Sequence, residues 1–170
     1  MTSTPLSPTD YYATLPKCIT GAGLYLHDEQ GRVLLVHPTY RADGTWEIPG
    51  GGLDDGENPW QAAAREAREE LGLDLTPGRL LVVDWVPAQP DGRPALANYL
   101  FDGGQLTSTQ LEQIRLPTHE LSEWRLTTPE QWPTLLADHM VRRLQACTEA
   151  LDTKSTAYLN HGRQPTISAR

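Results

Sequence analysis

The sequence predicts an α/β fold in which a mixed sheet packs against two helices. Short apolar runs typical of strands alternate with two segments of helical periodicity. The length of 170 residues is enough for one domain with a hydrophobic core. We therefore expect a single domain over residues 17–152, preceded by an irregular arm over 1–16 that is rich in Pro, Ser and Thr.

The first half of the predicted sheet leads into a glycine-rich loop. Residues 18–26 alternate loosely between apolar and polar, and an apolar run at 33–36 follows the turn Asp28–Gly31. A polar loop at Tyr40–Gly44 then precedes a brief strand at 46–48. The stretch PGGGLDDGEN comes next, directly before the first helix.

The first helix is predicted over residues 58–71. Asn58 is a suitable N-cap, and Pro59 suits the first helical position. Gly72 is a suitable stop signal. The apolar side of the helix consists of Ala62, Ala63, Ala67 and Leu71.

The second half of the chain supplies further strands and a second helix. Strands are predicted at 79–86, 96–101 and 121–126, followed by a helix near 132–151. The tail at 153–170 has no usable period and could cover the core, contact a second subunit in a homodimer, or be disordered. The predicted buried stripe of the last helix is Trp132, Leu136, Met140, Leu144, Cys147 and Leu151.

Composition argues against several classes of protein. The net charge of −8 and the lack of a basic run argue against nucleic-acid binding. No apolar stretch reaches the roughly 18–20 residues that a membrane span needs. The N-terminus has neither the basic start nor the apolar core of a secretory signal. Cys18 and Cys147 fit no metal-binding spacing, so we expect free thiols in a reducing cytoplasm.

The segment REAREE at 65–70 is the most informative part of the predicted helix. Residues three and four apart share a helix face, so Glu66 lies beside both Glu69 and Glu70. Such like-charge pairs cost about 0.2–0.5 kcal/mol each, although glutamate-rich helices are usually solvated faces. A hard cation between the carboxylates is the alternative that explains the cost, because Mg²⁺ prefers oxygen ligands.

The glycine-rich loop and this helix together resemble the Nudix box. Residues 51–73 follow the pattern G-x5-E-x7-R-E-U-x-E-E-x-G-U, where U is a bulky aliphatic residue. Every glycine, glutamate and arginine of the pattern is in register, and Ala67 is the one departure, being smaller than usual at the first U. The preceding W-E-I-P-G-G is also the usual lead-in of this family. The resemblance implies a Nudix-type α/β/α sandwich with the mixed sheet between the box helix and a C-terminal helix.

The resemblance also implies a chemistry and a set of roles. The expected reaction is hydrolysis of the diphosphate linkage in a nucleoside diphosphate joined to another group, with Mg²⁺ as cofactor and Mn²⁺ as a substitute. By the family pattern, Glu69 and Glu70 resemble the main metal ligands, and Glu66 resembles a ligand or the general base. Arg65 is expected to orient Glu57. The carbonyl of Gly50 could join the metal ligands.

Residues outside the box are weaker candidates. Family members often use one more carboxylate from a later loop, and we choose Glu120 over Glu123 and Glu112. Trp46, Tyr40 and Arg41 precede the glycine loop and could contact the substrate, although Trp46 fits the core equally well.

The substrate and the rival functions stay open at this stage. Candidate substrates are small nucleotides such as a nucleoside triphosphate, ADP-ribose or a nucleotide sugar. One rival is a ligand-binding module of the same fold without turnover. Another is a prenyl diphosphate isomerase, which would need a well-placed cysteine, and we expect Cys18 to lie in the core instead.

Overall fold

A mixed sheet lies at the centre of the computed structural model, which describes residues 6–166. These residues form seven strands in the order β6-β2-β1-β5-β4-β7, with β3 beside β1. The pairs β1–β5 and β4–β7 are parallel and the other pairs are antiparallel. The strands are β1 Cys18–His27, β2 Val33–Pro38, β3 Gly50–Gly52, β4 Leu80–Val86, β5 Ala95–Gln105, β6 Leu121–Thr127 and β7 Ala157–Asn160. The helices are α1 Pro8–Thr14, α2 Pro59–Leu71, α3 Ser108–Gln113, α4 Trp132–Leu135 and α5 Asp138–Thr153.

Each face of the sheet carries a hydrophobic core beneath a helix. Leu24 and Leu34 point to the core under α2, and their neighbours Tyr25 and Leu35 point to the core under α5. This separation follows from the two-residue repeat of a strand, which sends successive side chains to opposite faces. The predicted α/β/α sandwich is confirmed.

Helix α2 begins and ends where the sequence predicts. The side chain of Asn58 accepts a hydrogen bond from the Gln61 N–H, and the Gln61 side chain accepts one from the Asn58 N–H, forming a capping box. Gly72 ends the helix in a left-handed conformation. Ala67 is fully buried against the sheet, so the small residue brings the helix close to its core.

Three predicted elements are wrong in detail. The last helix is not continuous, since α4 ends at Leu135 and Leu136 is extended before α5 begins. The Leu135 carbonyl accepts the Trp46 N–H at 2.9 Å, a tertiary hydrogen bond that occupies the carbonyl at the break. The brief strand at 46–48 is reduced to a single bridge between Glu47 and Val36. The arm predicted to be irregular contains α1, and its first five residues lie outside the described range.

The tail contributes an edge strand and a buried group of hydrogen bonds around Asp84, Arg143 and Gly162, which we call the lock. Strand β7 pairs with β4. Beyond it, the Gly162 N–H donates to the carboxylate of Asp84 at 3.0 and 3.1 Å. The same carboxylate accepts a hydrogen bond from Arg143 Nε of α5 and forms an ion pair with that guanidinium, so Asp84 connects the sheet, the helix and the tail.

Two further findings concern the cysteines and the helices. Both cysteines are free; Cys147 is buried and Cys18 is exposed at the start of β1. The expectation that Cys18 lies in the core is therefore wrong. None of the helices within residues 6–166 has the length and apolar character that a membrane crossing requires.

Candidate active site

Helix α2 presents three glutamates beside the glycine-rich strand β3. Glu66 and Glu70 lean toward the sheet, and the side chain of Glu69 is 57% exposed. Glu70 is only 7% exposed, and its Oε2 accepts a hydrogen bond from the Gly50 N–H at 2.8 Å. We call Glu66, Glu69 and Glu70 the glutamate ridge.

Two glycines of β3 allow this close approach of loop and helix. Gly50 has φ +151°, and a Cβ there would collide with the Ala22 carbonyl of β1. A Cβ on Gly51 would collide with the carboxylate of Glu66. A side chain at Gly51 would push the backbone away from the ridge, and one at Gly50 would disturb the pairing of β3 with β1.

Arg65 connects the loop to the ridge. Its Nε donates to the carboxylate of Glu57 at 3.0 Å. Its Nη2 donates to the Gly52 carbonyl at 2.8 Å. Its Nη1 donates to Glu66 at 2.8 Å and to Glu69 at 2.9 Å. One guanidinium thus contacts both the glycine-rich loop and helix α2. A planar guanidinium is suited to this role because it carries several N–H donors in a fixed arrangement.

Two carboxyl groups of the glutamate ridge have raised pKa values. Burial raises the pKa of the Glu70 carboxyl to about 8, and the charges of Glu66, Glu47 and Glu120 add to that rise. Burial also raises the pKa of Glu66, with Glu69 and Glu120 contributing after the opposing effect of Arg65. A buried carboxylate among like charges requires a proton or a cation.

The donor set fits a hard divalent cation. The ridge offers carboxylate oxygens, and such cations bind oxygen ligands. In the rotamers observed for residues 6–166, no three Asp, Glu, His or Cys side chains converge closely enough to hold one ion. Arg65 Nη1 instead bridges Glu66 and Glu69, and the exposed Glu69 side chain has room to turn from that contact toward an ion.

The carboxylate predicted outside the box lies beside the ridge. Glu120 is exposed, directly before β6, and its charge acts on both Glu66 and Glu70. Glu123 is paired instead with Arg125 at 2.9 Å. Electrostatic proximity therefore favours Glu120.

The structure places the three predicted substrate residues in two different environments. Tyr40 and Arg41 are exposed on the loop before β3, and both donate hydrogen bonds to Glu47. Trp46 is 7% exposed in the core under α5, with the Arg125 guanidinium 4.7 Å from its ring. This position favours the core role for Trp46.

Glu47 is the residue of this region that sequence reasoning missed. Its charge is among those that raise the pKa of Glu70. Glu47 stands within the W-E-I-P-G-G lead-in, but spacing alone does not show that its side chain faces the ridge.

Known proteins resemble the chain over most of its length. A model of the Nudix domain matches residues 19–147. The RNA pyrophosphohydrolase of Novosphingobium aromaticivorans is 33% identical over 144 residues, covering 75% of this chain and 87% of that protein. The 8-oxo-dGTP diphosphatase of Proteus vulgaris is 55% identical over 38 residues, covering 22% of this chain and 34% of that protein.

Solved structures share the fold. The MutT protein from Methanosarcina mazei Go1 superposes with a TM-score of 0.67 at 20% identity, covering 80% of this chain and 96% of that one. The E. coli ORF135 protein gives 0.64 at 24% identity, covering 82% and 94%.

The sandwich and its glutamate ridge define a pyrophosphohydrolase, an enzyme that cleaves phosphoanhydride bonds. Enzymes built in this way generally use divalent metal ions. The chain belongs to the Nudix family.

Proposed function

We propose that this enzyme hydrolyses the diphosphate linkage of a small nucleotide derivative and uses Mg²⁺ held by the glutamate ridge. The observation that carries the proposal is Glu70, a buried carboxylate that accepts one backbone hydrogen bond and faces other carboxylates. Glu66 and Glu69 complete the ridge, and the Gly50 carbonyl joins the ligands. Mn²⁺ substitutes for Mg²⁺ because both accept oxygen ligands.

The residues around the ridge have separate tasks in this proposal. Glu66, Glu69 and Glu70 would hold the divalent ion, whose chemistry would be to offset the charge of the diphosphate and to lower the pKa of a bound water. Arg65 and Glu57 hold the glycine loop against α2. Glu120 takes the proton from the attacking water, since its exposed carboxylate is not committed to a hydrogen bond that the structure describes. Tyr40 and Arg41 contact the substrate.

The acidic character of the chain favours a small substrate. The net charge of −8 would repel a polynucleotide backbone. The RNA pyrophosphohydrolase relative favours a second candidate, the 5′-triphosphate end of RNA. That the enzyme is a homodimer remains a prediction.

One experiment tests the reaction and separates the two substrate classes. Purified enzyme with Mg²⁺ is incubated with nucleoside triphosphates, ADP-ribose, a nucleotide sugar, a dinucleoside polyphosphate and an RNA bearing a 5′-triphosphate. Mass spectrometry then identifies both products. We expect cleavage of a small nucleotide at a phosphoanhydride bond, abolished by chelation and restored by Mg²⁺ or Mn²⁺. Full activity in excess chelator would contradict the requirement for a metal ion. Turnover of the RNA and of no small nucleotide would show that the 5′-triphosphate end of RNA is the substrate.

A pair of matched variants tests the base. Glu120→Gln should lower the turnover number by about 10²–10⁴-fold, the contribution of a general base. Glu123→Gln, an equal change three residues along, should be nearly silent. If the two variants exchange behaviour, Glu123 is the base, and if both are silent the base lies elsewhere.

A further inference from the structure

Glu47 contacts two exposed side chains of the loop before β3. Its Oε1 accepts the Tyr40 hydroxyl at 3.0 Å, and its Oε2 accepts Arg41 Nη2 at 2.7 Å. The backbone of Glu47 is itself fixed to β2, because it exchanges two hydrogen bonds with Val36 at 2.8 and 3.0 Å. One anchored carboxylate thus sets the positions of two exposed side chains.

The loop that carries these side chains spans from the base candidate to the ridge. At one end, the Thr39 N–H donates to the Glu120 carbonyl at 2.8 Å. At the other end, Glu47 lies three residues before Gly50, whose N–H binds Glu70. Tyr40 and Arg41 therefore lie between two acids that both act electrostatically on Glu70.

The Tyr40 hydroxyl reports the same neighbourhood. Burial of the hydroxyl raises the pKa of Tyr40 to about 12, and the charges of Glu47 and Glu70 add to the rise. The Tyr40 residue as a whole is nevertheless 67% exposed, which leaves much of its ring open to solvent. An exposed ring whose hydroxyl is held by Glu47 is available to a ligand bound beside the glutamate ridge.

Stabilisation of the loop does not account for the contacts of Glu47 with Tyr40 and Arg41. Other bonds already close the loop, since the Gly44 N–H donates to the Arg41 carbonyl and Asp43 accepts from Thr45. The Arg41–Glu47 pair is partly exposed, and exposed pairs contribute about 0–1 kcal/mol to stability. Within residues 6–166, the Arg41 guanidinium makes no other side-chain hydrogen bond, so most of its five donors stay available.

We propose that Glu47 is a positioning residue that holds Arg41 and Tyr40 as a clamp for a substrate phosphate not bound by the ridge. Arg41 donates its remaining N–H groups to that phosphate, a charge-assisted contact suited to a guanidinium. Glu47 also prevents Arg41 from pairing with the ridge. The clamp rests on the proposed function, because it acts on the diphosphate derivative that the ridge binds.

Three variants test the clamp. Glu47→Gln keeps the shape of the side chain but removes its negative charge, so the contact with the Arg41 guanidinium is no longer a charge-assisted pair. Arg41→Gln removes the guanidinium, and the third variant combines the two changes. The control is Asp91→Asn, which breaks a comparable exposed pair with Arg93 at 2.9 Å on the β4–β5 turn.

Binding and kinetics are both measured. The binding probe is α,β-methylene-ADP with Mg²⁺, followed by calorimetry, and the kinetic substrate is the best nucleotide of the product panel. We expect each single variant to weaken probe binding and raise KM by about tenfold, with kcat within about threefold. The double variant should be no weaker than Arg41→Gln, because both residues act through one contact. Tm should stay within about 2 °C of wild type, as for the control.

The outcomes separate the clamp from the reaction. Wild-type-like KM and probe affinity in Glu47→Gln, effects that add in the double variant, or no probe binding by the wild type would each overturn the clamp. If the wild type turns over a nucleotide in those cases, the proposed function stands alone. If no substrate is cleaved but Glu47→Gln and Arg41→Gln weaken probe binding together, the clamp stands and the reaction fails.

Discussion

Two buried carboxylates on opposite sides of the molecule have contrasting environments. Asp84, fully buried, accepts one hydrogen bond from Arg143 Nε, forms an ion pair with Arg143 Nη2 at 2.7 Å, and accepts the Gly162 N–H between its two oxygens. Glu70 is almost as buried, yet it accepts one backbone N–H and lies among other acids. Asp84 has the partners that make a buried charge tolerable, whereas no Lys, Arg or His side chain of residues 6–166 pairs with Glu70. We infer that Asp84 stabilises the fold, whereas Glu70 serves the proposed metal site.

The largest expected effect comes from breaking the satisfied carboxylate. Asp84→Ala leaves Arg143 buried without its partner and should lower the free energy of unfolding by about 3–5 kcal/mol. Urea denaturation measures the change. Asp91→Asn, which removes an exposed ion pair, should cost about 0–1 kcal/mol. A loss below 1 kcal/mol in Asp84→Ala would show that this pair is not a structural lock.

Glu70→Gln should have the opposite profile. We expect turnover to fall at least about 10²-fold with little change in fold. At pH values above about 8, where Glu70 is ionised, the metal-free variant should gain stability, because relief of the repulsion with Glu66 contributes roughly 0.2–0.5 kcal/mol. Steady-state kinetics and denaturation in chelator measure the two quantities, with exposed Glu149→Gln as the control. Near wild-type turnover at saturating Mg²⁺ would remove Glu70 from the required ligands.

Metal binding should stabilise the protein through Glu70 alone of the two carboxylates. At ten times Kd, Mg²⁺ should raise the free energy of unfolding by about 1.4 kcal/mol. Thermal denaturation with and without Mg²⁺ should show this gain in wild type and in a folded Asp84 variant. The gain should disappear in Glu70→Gln, and its persistence there would place the ion elsewhere.

The smallest effect concerns pH near Asp84. Burial, together with the charges of the nearby Arg143 and His161, lowers the pKa of His139 to about 4. The unfolded chain, with a histidine pKa of about 6.5, therefore binds the proton more readily. Stability should fall as the pH drops from about 6.5 toward 4, and His139→Gln should flatten that fall. An unchanged profile in the variant would show that His139 does not titrate in this window.

The box and the helix that carries it were predictable because their signals are local. Asn58, Pro59 and Gly72 mark the ends of α2 by backbone chemistry that needs no distant partner. The spacing of Glu66 and Glu70 on a helix places both on one face. The Arg65–Glu57 contact was anticipated from the family pattern, which records a pairing between loop and helix.

Features that depend on tertiary partners were not predictable. The apolar pattern of the predicted last helix continues past Leu136 without interruption. The hydrogen bond between the Leu135 carbonyl and the Trp46 N–H, which lies where the helix breaks, cannot be inferred from that pattern. Strand β7 pairs with β4 across a long sequence separation, and the strand is too short for its periodicity to be detected. A signal for the lock was present, since Asp84 interrupts the apolar run of β4 and a buried charge needs a partner.

The lock at Asp84 also sets the order in which a newly made chain can be completed. Asp84 and its last donor, Gly162, are separated by 78 residues. The ridge and its glycine loop are synthesised well before that donor. On the ribosome, the catalytic half of the sheet can therefore form while the core beneath α5 still waits for residue 162 to emerge, and Asp84 remains short of its final hydrogen bond until then.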